Sequence, residues 1–60
     1  DGYGRFLLGE LAFARGERTL AKLHLQSFLS RVRRQRVAVQ AGLSAEIARA
    51  ENTLGHIVMN

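Results

Sequence analysis

Ala21-Lys22-Leu23-His24-Leu25-Gln26-Ser27-Phe28-Leu29-Ser30-Arg31-Val32 is the stretch that decides the fold. Ala21, Leu25, Phe28, Leu29 and Val32 fall at offsets 0, 4, 7, 8 and 11 from Ala21, the three-and-four spacing of a single α-helical face. At about 100° per residue, Leu20 and Leu23 lie well away from that stripe. A helix apolar on two sides packs between two neighbours, so this segment is expected to be the central element. It is expected to start within Glu17-Arg18-Thr19 and to run at least to Arg36, with Val37 and Val39 in a fraying last turn or a short extended link.

Glycines punctuate the chain on either side, and there is no proline. Arg5 to Arg15 reads as a first helix with a broad apolar surface from Phe6, Leu7, Leu8, Leu11, Ala12 and Phe13. Gly9 interrupts it at a cost of up to about 1 kcal/mol against Ala, which close approach of a neighbouring helix would offset. Gly16 is a C′-type stop, where positive φ costs glycine nothing. Downstream, Gly42 followed by Leu43 suits a Schellman ending, and Ser44 suits an N-cap with Glu46 in the first turn. Ile47, Ala50, Leu54, Ile57 and Val58 give the apolar stripe of a last helix, which also holds Gly55, expected at tight packing or fraying. Glu46 and Arg49 are spaced as an exposed i,i+3 pair. Short loops make successive helices antiparallel. The fold class is therefore all-α: an antiparallel three-helix unit, a helical hairpin plus a third helix. Its expected core is Leu11, Leu25, Phe28, Val32 and Leu54.

Sixty residues with no Cys and no Trp set the frame for that unit. A chain of this length buries only about 60% of the surface its unfolded form exposes, so its core is marginal. Disulfides and thiolate metal sites are excluded. No apolar run reaches the length of about 18 residues that a membrane span needs. Asp1-Gly2-Tyr3-Gly4 has neither the Met, the basic region nor the apolar region of a signal peptide. Residues 1–60 read as a single small helical domain, either free-standing or a piece of a longer chain.

Catalytic chemistry has little to stand on. Ser27 and Ser30 sit on a helix outside any G-x-S-x-G elbow. His24 and His56 lie on different helices without metal-site spacing, and a zinc site would need both to converge with carboxylates such as Glu10 or Glu51. No two carboxylates share a helix face for acid/base work. Gly2-Tyr3-Gly4 lacks the context of a phosphate-binding loop. The sequence therefore predicts no enzyme, no catalytic residue, no metal and no cofactor. Ala41 to Arg49 followed by Glu51-Asn52-Thr53-Leu54 is similar to a helix-turn-helix opening, but Arg49 runs into Glu51 with no turn between them.

Nine basic against five acidic residues give a net charge of +4. The excess comes from Arg31-Val32-Arg33-Arg34-Gln35-Arg36. On a continuous helix Arg31, Arg33, Arg34 and Arg36 fan round the axis rather than forming a stripe, which suits a solvated helix end better than groove reading. Contact with a polyanion or nucleic acid through these four arginines is the second functional reading. The first rests on apolar surplus. Phe6, Leu7, Leu8, Phe13, Leu20, Leu23, Ile57, Val58 and Met59 exceed what so small a core hides. Phe6, Leu7, Leu20, Leu23 and Ile57 are the expected contacts with another protein chain or a second copy.

Two resemblances attach to these residues. Leu8-Gly9, Ala12, Gly16, Ala21, Leu25 and Leu29 have the spacing of a single tetratricopeptide-type hairpin. Over residues 6–58, Gly16-Glu17-Arg18, Leu20-Ala21, Leu25, Phe28-Leu29-Ser30-Arg31-Val32, Gln35-Arg36, Leu43-Ser44 and Ala48 resemble FIMAH, a small helical module of bacterial extracellular proteins. That resemblance implies a non-catalytic, cofactor-free accessory module attached to a larger secreted or surface protein.

Overall fold

The computed structural model describes residues 2–59, and of Met59 the backbone alone. Its elements are α1 (Tyr3–Ala14), α2 (Arg18–Val32), α3 (Val37–Gly42) and α4 (Ser44–Met59), with no strand among the described residues. The chain is all-α, a helical hairpin joined by further helices.

The α1–α2 hairpin is made by its glycines. Gly16 takes φ +80°. Its N–H donates to the Phe13 carbonyl at 3.0 Å, and the Glu17 N–H donates to the Ala12 carbonyl at 2.9 Å. Those two bonds are the Schellman pair, and they turn the chain straight into α2. Gly2 at φ +85° opens α1, its carbonyl accepting from the Arg5 N–H at 2.9 Å, so the helix begins at Tyr3 rather than at Arg5. Gly9 is the point of closest approach. A Cβ built there would lie 2.6 Å from Leu25 Cγ and Cδ2, and 3.3 Å from the Leu25 backbone nitrogen. The Phe6 and Phe28 rings stack tilted at 5.3 Å between centroids. Residue 6 beside 28 and residue 9 beside 25 make the pair antiparallel.

Phe6, Leu25, Phe28, Leu29, Val32 and Ala50 form the buried core, with Leu43, Ile47 and Leu54 packed against it. The stripe of residues 21–32 is thus the inner face of α2. Leu11 departs from expectation: it stays 47% exposed, because α1 turns Phe6, Gly9 and Ala12 inward. Leu11 follows Gly9 by two positions, about 200° round the helix.

The second helix is shorter than its sequence suggests. It ends at Val32, and residues 33–35 turn. Gln35 N–H donates to the Val32 carbonyl at 2.9 Å, and Gln40 Nε2 donates to the Gln35 carbonyl at 2.8 Å. Continuing the helix would have put Gln35 and Arg36 on the core line, where polar groups lose water without gaining partners. The expected link becomes a six-residue helix, α3, with no buried residue, and Val37 is 82% exposed. Gly42 is its last residue and has no positive φ, so the Schellman ending expected there is not made. Leu43 turns the chain instead and drops its side chain against the core. The Leu43 carbonyl accepts the Ile47 N–H at 2.8 Å, which places Leu43, not Ser44, at the cap of α4.

Gly55 has nothing within 4 Å of a built Cβ, so close packing does not explain it. Gly55→Ala is expected to stabilise the chain by up to about 1 kcal/mol, since Ala costs less entropy in an open helical position. Thermal unfolding followed by circular dichroism reads this as a raised Tm.

Candidate interaction surfaces

The expected contact residues do not share a face. Phe6 is 7% exposed and belongs to the chain's own core. It lies on the same inward arc of α1 as Gly9, about 60° away. Leu7 is 51% and Leu23 59% exposed; Leu20 is also exposed and Ile57 half-buried. Leu7 lies about 160° from Gly9, and Leu23 about 160° from Leu25. Each therefore stands on the side of its helix away from the other, and the two look in opposite directions. The side chain of Met59 lies outside the described residues.

One surface is continuous. On α1, Leu7, Leu8 and Leu11 are all about half exposed. Gly4 and Ala14 fall on the same outer arc and are also exposed. The charged side chains of α1 are Arg5 and Glu10, both within about 100° of Gly9. No charge stands on the far side. The outer half of α1 is therefore apolar and uncharged, while only the inner half is covered.

A polar node holds α1 to α4 and was not foreseen. Glu10 Oε1 accepts from Arg49 Nε at 3.0 Å, and Glu10 Oε2 accepts from Thr53 Oγ1 at 2.9 Å. Thr53 is buried. Arg49, expected to pair with Glu46, reaches across to α1 instead. The signal was a single acid in an otherwise apolar stretch of α1 and a Thr three residues after Ala50 on the inner line of α4. Glu10→Ala leaves the Thr53 hydroxyl buried without its acceptor and is expected to cost about 1–3 kcal/mol. Glu10→Gln, which keeps an acceptor, is expected to cost less; urea unfolding midpoints of the two variants check the order.

The basic cluster sits on a turn, not on a continuous helix. Arg31 is in the last turn of α2, Arg33 and Arg34 lie in the turn itself, and Arg36 caps α3 in an extended conformation. Arg33 Nη2 lies 3.6 Å from Glu51 Oε2 with both side chains largely in water, a pair worth about 1 kcal/mol or less. Two hollows flank this turn. Gln26, Leu29, Ser30, Arg33, Arg34 and Leu54 line one of about 570 Å³ between α2 and α4. Arg31, Arg34 and Gln35 line a smaller one of about 300 Å³.

The histidines lie on different helices: His24 is half-buried with Nδ1 closed from solvent and unbonded, while His56 is exposed. Glu10 and Glu51 are each engaged by an arginine. Among the described residues no group of three His, Cys, Asp or Glu gathers, and α4 runs unbroken through residues 49–54, with no turn of the helix-turn-helix kind. No helix is long and apolar enough to cross a membrane. Comparison with family models, curated proteins and solved structures gives no match.

Proposed function

We propose that this chain is a non-catalytic helical interaction module whose contact surface is the outer face of α1, covered in use by an apolar helix of another chain. The observation that carries it is the uncharged, half-exposed row of Leu7, Leu8 and Leu11. About half of each of these side chains stays in water once Phe6, Gly9 and Ala12 have packed inward. Burying apolar surface returns about 25 cal/mol per Å², and a domain of sixty residues has little other reserve of stability. The likeness to an accessory module of larger bacterial extracellular proteins supports the same reading.

The double variant Leu7→Glu, Leu11→Glu tests it. Both positions are open to water, so the variant is expected to keep wild-type helicity and a cooperative unfolding transition. Sedimentation velocity between about 10 and 500 µM is expected to show weak self-association of the wild type, absent from the variant, because an isolated patch of this kind finds its own copy. A wild type that sediments as a monomer throughout, indistinguishable from the variant, contradicts the proposal.

A further inference from the structure

The hollow between α2 and α4 lies off the α1 face and has a different chemistry. Its floor is apolar, from Leu29 and Leu54, and both belong to or pack on the core. Its rim is cationic, from Arg33 and Arg34, with Ser30 and Gln26 offering hydrogen bonds along one side. Arg33 also pairs with Glu51 of α4. Arg34 also borders the smaller hollow, beside Arg31, and among the described residues neither has an ion pair. The result is a trough with an apolar bottom and a positive wall in which Arg33 has a partner and Arg34, among the described residues, has none.

We infer that this trough binds an acidic amphipathic segment of a partner protein, a helix with leucine-like side chains on one face and carboxylates beside them. Leu54 and the exposed edge of Leu29 would receive the apolar face, while Arg34 pairs a carboxylate; Arg33 is shared with Glu51. Charge complementarity selects this occupant. A nucleic acid would use the arginines but leave the apolar floor idle, and no aromatic side chain lines the trough for bases to stack on. A small ligand is normally buried over about 70–90% of its surface, whereas this trough lies open along the helix pair. Arginine also suits carboxylates through its planar, two-pronged donor set.

The test uses the whole chain and a fluorescein-labelled helical peptide with Leu at i, i+3, i+4 and i+7 and Glu at flanking positions. Fluorescence anisotropy at 50 mM salt is expected to show saturable binding, weakened at least tenfold by the charge reversal Arg34→Glu. The position is exposed, so the variant should unfold at the wild-type temperature. A peptide with Gln for every Glu and one with Ser for every Leu are each expected to bind at least tenfold more weakly. The inference is overturned if the parent peptide does not bind or if Arg34→Glu binds it equally well. It is also overturned if the Gln peptide matches the parent, which leaves greasiness alone, or if the Ser peptide or a random duplex does, which leaves polyanion attraction. Leu7→Glu/Leu11→Glu should bind the peptide normally, so failure here and failure of the α1 contact are read separately.

Discussion

Phe28→Ala is expected to leave the chain without a cooperative unfolding transition at 25 °C. Phe28 is fully buried and the largest such side chain. Its ring meets Phe6 from α1, and the rest of the core cluster comes from α2 itself and from Ala50 of α4. Truncating a buried Phe to Ala costs about 3–5 kcal/mol, the lost transfer energy plus the cavity left behind. A domain this small rarely has more than about 3–5 kcal/mol in total, so the substitution removes all or nearly all of it. Phe28→Leu, which keeps most of the volume, should retain a transition at lowered Tm. A sharp, near-wild-type transition in Phe28→Ala would mean that the α1–α2 contact does not hold the fold.

Gly9→Ala is expected to destabilise the chain although Ala is the better helix former. Intrinsic propensity favours the change by about 1 kcal/mol. The new Cβ, however, would stand 2.6 Å from two atoms of Leu25. Leu25 is fully buried, and its backbone nitrogen lies close behind. Overpacking of this kind costs about 1–3 kcal/mol, occasionally more, and here the helices themselves would have to part. With the contact at 2.6 Å the cost falls at the upper end of that range, and a net loss of up to about 2 kcal/mol lowers Tm by up to about 16 °C in a domain this size. Gly55→Ala moves Tm the opposite way. Two identical substitutions with opposite signs separate close packing from helix propensity, and calorimetry on both variants reads it directly.

The sequence made the hairpin legible because its signals are local and mutually consistent. The stripe from Ala21 to Val32 is set by period alone, Gly16 by the positive φ of a helix stop, and Gly9 by an otherwise unexplained helix-weakening residue. What local pattern could not reveal was the choice between competing partners. Leu11 and Phe6 look equally apolar in sequence; the arc of α1 that meets α2 buries Phe6 and leaves Leu11 in water. Arg49 has Glu46 within reach on its own helix, yet bonds Glu10 on another, where Thr53 completes the site. The end of α2 is hidden from local pattern because the arginines are good helix formers, while the core line that Gln35 and Arg36 would have entered belongs to tertiary packing. The arginine cluster was legible as composition, and its gathering on a turn beside an apolar trough was not.

The most direct measurement of the central claim is the concentration dependence of leucine methyl resonances in the isolated chain. If the outer face of α1 is a contact surface, the methyls of Leu7, Leu8 and Leu11 shift on going from about 20 µM to 1 mM, while those of Leu25 and Leu29 stay in place. Methyl positions that do not change over that range, or changes confined to Leu29 and Leu54, would contradict it.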